Sequence, residues 1–319
     1  MMADTDFENI VLESVPCPNG CMDADKLIVN GCDLLCGLPG KFTVVQCKQC
    51  GLMRTNPRPT AATIGYYYPD NYGPYAGTRI AKNTNSGIAS AWKKKINSIL
   101  STKGEALPDT PPGNLLEVGC ASGSFLYKME QIGWNVEGIE FSEKASENAR
   151  SHGYKVTTGS LESAQEPDKK YDLIVAWMVI EHLHDPKGSL EKLNKWTEKN
   201  GYFVFSVPNS SRLFMNKYSY NLQLPTHLFH FTPDTITALL KKAGWHTERI
   251  IHQVTLSSLM ASAGYWLRET RGESELSRWL VGYPTKSGKL HLLFYPLAYL
   301  LAKFGQTGRM TIWARKADD

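Results

Sequence analysis

From Leu115 onward the sequence predicts an α/β fold, a seven-stranded sheet with helices on both faces. Three observations carry this reading. Strand-like apolar runs alternate with segments whose apolar residues recur at helical spacing. The run YDLIVAWMVI, residues 171–180, is apolar almost throughout, as a strand covered on both faces must be. The stretch LLEVGCASGSFL, residues 115–126, passes from an apolar run through a small-residue turn into a helix, as a ligand-holding strand–turn–helix unit begins.

The elements follow in order. LLEVGC reads as a strand and SGSFLYKMEQIG as a helix. WNVEGIEF is a strand, SEKASENARSHG a helix and KVTTGS a strand. YDLIVAWMVI is the fourth strand, SLEKLNKWTEKN a helix and GYFVFSVPN the fifth strand. TPDTITALLKKAGW opens on Thr232 as N-cap, with Pro233 at the first helical position. HTERIIHQ and RMTIWARK supply strands six and seven, separated by a helical insertion over 254–307. The alternation predicts a parallel sheet. This domain takes residues 113–319. Residues 1–75 form a cysteine- and tyrosine-rich segment. Residues 76–112 hold one helix and the Pro/Gly linker LPDTPPGN.

The composition is that of a soluble globular chain: 319 residues, 42% apolar, 21% charged, with a formal charge of only +4. That balance gives no case for a nucleic-acid partner. The start, MMADTDFENIVLESV, lacks a basic segment followed by an apolar one, so a cytoplasmic, reducing location is expected. The run LHLLFYPLAYLLAKF, residues 290–304, is too short to span a bilayer and is broken by Pro296 and Lys303. It reads either as buried helices or, with the rest of 254–304, as a face for a membrane or a second subunit.

Six of the seven cysteines fall in the first 50 residues. In a reducing compartment such clusters bind metal more often than they form disulfides. Cys17 and Cys21 form a C-x3-C pair. Cys47 and Cys50, followed by Gly51, form a C-x2-C knuckle. Four thiolates suit one structural zinc and leave no open position for catalysis. Cys32 and Cys36 read as buried or free thiols in a strand and turn.

The turn at Gly119 does not fit G-x-G-x-x-G, because Ala121 and Ser124 stand at its second and third glycines. It fits acid-x-Gly-x-Gly/Ala-x-Gly, with Glu117 as the acid. Here the chain resembles class I S-adenosylmethionine-dependent methyltransferases, whose sheet is Rossmann-like. The resemblance covers roughly residues 112–250. It implies that Glu117, Gly119, Ala121 and Gly123 form the loop beneath the methionine and ribose of S-adenosylmethionine. It implies that Glu140, 21 residues past Gly119, accepts from the ribose diol. Ser160 and Leu161 would flank the adenine, with Ser160 replacing the commoner Asp. AWMVIEHLHDP, residues 176–186, matches the family's fourth strand and its Glu-His and Asp-Pro signals, and Trp177 joins the cofactor set.

The stretch CGLMRTNPRPTAATIGYYYPDNYGPY resembles a bacterial subgroup with an N-terminal zinc-binding module. That subgroup is associated with sugar, polysaccharide and natural-product pathways. The resemblance implies O- or C-methylation of a sugar, sugar nucleotide, glycan precursor or secondary metabolite. A hydroxyl or carbon acid needs a base, for which histidine is suited near neutral pH. His227 ranks first and His182 second. Both follow strands at the carboxyl edge of the sheet, where such folds bind ligands. Thr226 stands where the resembling enzymes carry an acid. Tyr72 and Tyr75 are the candidate substrate-facing tyrosines. The alternative is an RNA or protein methyltransferase with the zinc module as reader. It lacks a long basic patch and the Asn/Asp-Pro-Pro-Tyr signature.

Overall fold

The structure, a computed structural model, describes residues 9–22, 24–69, 107–211, 217–286 and 292–317. The expected helix between 76 and 112, together with Tyr72 and Tyr75, lies outside the described residues.

The strands of the main sheet are β6 (Asn114–Val118), β7 (Asn135–Glu140), β8 (Lys155–Thr158), β9 (Tyr171–Trp177), β10 (Thr197–Pro208), β12 (Trp245–His252) and β13 (Arg309–Lys316). Their order is β12-β13-β10-β9-β6-β7-β8. The neighbours β7–β8, β6–β7, β6–β9 and β9–β10 are parallel, as the alternation predicts. The all-parallel expectation fails at β13, which runs antiparallel to both β10 and β12. The insertion returns the chain to the end of the sheet where β12 finishes, His252 pairing with Met310, so the last strand runs back reversed.

Each helix is placed by its caps and its apolar face. Ser142 caps α2 (Glu143–Ser151), accepting from the Ala145 amide. Asp185 caps α3 (Pro186–Trp196). That helix ends at Trp196, four residues short of the expected end, because Thr197–Asn200 join β10. Thr232 and Thr235 form a reciprocal capping box at α4 (Pro233–Lys242), with Pro233 in the first turn. On one sheet face α1 (Ser124–Glu130) and α2 cover Leu115, Leu173, Val175 and Val204. On the other, α3 and α4 cover Leu116, Ile174, Ala176 and Phe205. β9 therefore sends alternate residues into two cores.

The insertion consists of α5 (Ser257–Arg271), α6 (Glu275–Lys286) and α7 (Tyr295–Lys303). Leu293, Leu297, Leu300 and Phe304, in and beside α7, stay exposed. No helix among the described residues is long and apolar enough to cross a membrane.

The N-terminal segment builds β1 (Leu12–Glu13), β2 (Asp25–Gly31), β3 (Phe42–Cys47), β4 (Met53–Thr55) and β5 (Arg58–Pro59). β2, β3 and β4 continue into β11 (Phe229–His230), a strand contributed from beyond β10. Phe42, Val44, Leu52 and Met53 share one core with the main sheet. Arg54, almost fully buried, forks onto Asp25 at 2.7 and 3.0 Å and holds the Val15 carbonyl.

Candidate active site

The parallel strands deliver the cofactor candidates to one edge. Glu117 lies on β6 and is buried. The turn after β6 is left-handed at Gly119 (φ 74°), Ala121 (φ 46°) and Gly123 (φ 81°). A side chain at Gly119 would put a Cβ 2.6 Å from Val179 Cγ2. The glycine is thus fixed by its conformation and by the loop after β9, which packs directly on it. Glu140, at the end of β7, accepts from the Ala121 amide (2.8 Å) and the Ser142 amide (2.8 Å). Burial raises its pKa, and those amides work the other way.

Two buried polar atoms here have no protein partner: Ser122 Oγ and Trp177 Nε1. The Trp177 ring meets Phe125 edge-on at 5.3 Å. Such orphans beside a glycine turn fit a polar ligand laid against the backbone. Met178, with φ 59°, is strained in the same loop. Ser160 is instead engaged locally, accepting from the Ser163 amide at 3.2 Å, and Leu161 is buried.

The loop after β9 continues into a second group. Glu181, His182 and His227 bring one ligand atom each to within 4.8 Å of one another. Glu181 is fully buried, and neither carboxylate oxygen has a hydrogen-bond partner. Burial pushes its pKa up to about 8, with its own backbone amide and then Arg309 pulling the other way. His227 Nδ1 lies 2.8 Å from the Asn221 carbonyl, and His182 Nδ1 lies 2.8 Å from the Thr226 carbonyl. A carbonyl can only accept, so each Nδ1 carries the proton and each Nε2 keeps its lone pair. Tyr68 Oη lies 2.9 Å from the same His182 nitrogen. Burial holds His182 down at about 4 and His227 well below 6.5, so both rings are neutral near pH 7. His227 Nε2 sits 3.9 Å from Glu181 Oε1.

The N-terminal segment fixes this group from behind. Thr55 donates to the His227 carbonyl at 2.8 Å and lies 3.1 Å from His230 Nε2. Leu228 donates to the Glu181 carbonyl at 2.8 Å. His184, the remaining histidine of the β9 loop, is tied to the Pro59 carbonyl at 3.1 Å. Glu181 was not singled out from the sequence. Its signal was a lone acid ending an otherwise apolar strand region.

Cys17, Cys21, Cys47 and Cys50 place their sulfurs within 4.8 Å of one another. Cys17 and Cys50 Sγ lie 3.5 Å apart, and a tetrahedral zinc with ~2.3 Å bonds needs about 3.8 Å. The Cys50 amide points at Cys47 Sγ (3.5 Å), and Gly51 takes the positive φ that closes the knuckle. The cluster fits a four-thiolate metal. Cys32 and Cys36 are exposed and stand apart from it.

The family model for a methyltransferase domain matches residues 88–250. This chain belongs to that family. The match is to a class I methyltransferase domain, and it takes in the glycine turn and Glu140. The ubiquinone biosynthesis O-methyltransferase of Hydrogenovibrio crunogenus is 27% identical over 166 residues, 50% of this chain and 64% of that protein. The mitochondrial enzyme of the same name from Schizosaccharomyces pombe is 25% identical over 187 residues, 54% of this chain and again 64% of the relative. The chain thus spans under two thirds of the length of these relatives. A solved S-adenosylmethionine dependent methyltransferase from Mesorhizobium loti is 16% identical, with a TM-score of 0.46 over 66% of this chain and 94% of that one.

Proposed function

We propose that this methyltransferase methylates a hydroxyl group on a small molecule, in the class of a sugar, sugar nucleotide, glycan precursor or secondary metabolite. One observation carries the reading: Glu181, His182 and His227 gather directly after the loop that packs against Gly119, and both imidazoles are neutral near pH 7. The glycine turn and Glu140 hold the cofactor in this reading, and the unpartnered Trp177 Nε1 and Ser122 Oγ are available to it. When bound, S-adenosylmethionine supplies an electrophilic methyl group on a sulfonium. The chain's own task is to align the acceptor with that methyl, exclude water and deal with the acceptor's proton. The cluster performs the last task, with His227 first and His182 second among its groups. The relatives named as O-methyltransferases support oxygen as the acceptor atom.

The four cysteines hold a structural zinc in this reading. The pairing of β4 with β11 makes the module a wall of the catalytic domain, which favours a small acceptor over a macromolecule read by a separate arm. Calorimetric titration with S-adenosylhomocysteine, then a library of hydroxylated acceptors read by a one-methyl mass shift, tests the proposal. Absence of S-adenosylhomocysteine binding would overturn it.

A further inference from the structure

The helical insertion reverses the usual pattern of a surface helix. On α7 the buried positions are the small Ala298 and Ala302, while Leu293, Leu297, Leu300 and Phe304, spaced along one helical face, stand outward. Leu293 is 71% exposed and Phe304 70%. The helix is tied at both ends, which keeps this face outward. Before it, Phe294 meets the Tyr283 ring of α6 edge-on at 6.4 Å. After it, Asn209 donates to the Gly305 and Thr307 carbonyls at 2.9 and 3.0 Å. α6 is itself seated on α5 so closely that a Cβ at Gly264 would lie 2.7 Å from the Val281 nitrogen. An outward apolar face on an element held this way marks a contact surface.

Charge decides what that surface meets. From Leu276 to Ala317 the sequence holds no Asp or Glu, and before β13 this stretch carries Arg278, Lys286, Lys289 and Lys303. The insertion's acids, Glu269, Glu273 and Glu275, fall between the end of α5 and the start of α6. Arg278 lies 3.8 Å from Glu275, whereas Lys303 sets its ammonium 5.2 Å over the exposed Tyr299 ring. That is the posture of a lysine whose stem follows an apolar surface and whose charge stays at the rim. We propose that α7 docks on the surface of an anionic lipid bilayer, its leucines and Phe304 entering the headgroup boundary and Lys303 meeting the lipid phosphates. Nine helical residues lie along a bilayer and do not cross it. A second copy of the chain fits this face less well. A two-fold contact pairs a patch with itself, and would set the one-signed rim against its own copy. The docking stands on the insertion alone and does not depend on the methyl-transfer reading.

The test is flotation of the full chain with vesicles of phosphatidylcholine alone, and with vesicles in which a third of the lipid is phosphatidylglycerol. Binding is expected to the anionic vesicles above all, and to weaken as salt is raised. Leu297 and Leu300 are 48% and 52% exposed, so their replacement spares the core. The double variant Leu297→Asp, Leu300→Asp should keep the wild-type melting temperature and lose vesicle affinity by at least ~20-fold. Lys303→Gln should lose roughly fivefold, the share of one cation at an anionic surface. Sedimentation without vesicles gives the oligomeric state of the same samples. No binding by the wild-type chain, equal binding to both vesicles, or binding that the double variant keeps would overturn the proposal. So would a dimer that the double variant dissolves, which would give the face to a second copy.

Discussion

Glu140 does two jobs with one carboxylate. It braces the Ala121 and Ser142 amides, and in the proposed cofactor site its remaining lone pairs take the ribose diol. Glu140→Ala is therefore expected to weaken S-adenosylhomocysteine binding by roughly 10- to 100-fold, the worth of one or two hydrogen bonds to a charged group, as read by calorimetry. Gly119→Ala carries a different cost. It forces a left-handed alanine at about 1–2 kcal/mol and drives its Cβ into Val179, so both the melting temperature and cofactor affinity should fall. His227→Ala should abolish turnover with S-adenosylhomocysteine affinity unchanged, and unchanged turnover would remove His227 from the chemistry. At the second candidate, the bond from His182 Nδ1 to Thr226 means that only Nε2 is available.

At the scale of elements, the short strand β11 is where the two parts of the chain meet. His227 precedes it, His230 ends it, and Thr55 of β4 touches both. A lost thiolate in the knuckle should reach the active site through β4. Cys50→Ser is expected to lower the melting temperature and the turnover number, while cofactor affinity, drawn from β6 and β7 in the proposed site, changes by less than about threefold. Equal loss of cofactor affinity would argue for general unfolding instead. Metal analysis of wild type and Cys50→Ser gives the accompanying zinc count.

Across the whole molecule, buried neutral histidines set the acid limit. His182 titrates at about 4, His230 at about 3 and His227 well below 6.5 in the folded chain. The unfolded chain binds those protons near pH 6.5, so stability is present above that pH and falls as pH drops toward 4. Glu181, held up at about 8, works the other way between its unfolded value of 4.5 and 8. The net uptake on unfolding between pH 6 and 5 is about two protons, or up to ~2.7 kcal/mol per pH unit. Urea unfolding across that window checks the sign, and His230→Gln should flatten the slope by about one proton.

The seven strands, the double burial of β9, the cap at Thr232 and the glycine turn were legible in the sequence because each is a local pattern. Hydrophobic period, N-cap chemistry and positive φ depend on residues a few positions apart. The two cysteine pairs announced themselves by spacing, although only the fold brings Cys17 and Cys21 to Cys47 and Cys50. The reversal of β13 was not legible, since strand direction depends on where the 254–307 helices return the chain. Nor was the burial of Glu181 without a hydrogen-bond partner, which is a property of everything packed around it. The sequence by itself determined the strand–helix order, the cofactor turn and the thiolate pairs. Only the tertiary structure decided that an N-terminal strand buttresses His227 and that Glu181, His182 and His227 meet in one group. The contacts that do so run from 44 positions, between His182 and Thr226, to 172, between Thr55 and His227, beyond the reach of a local pattern.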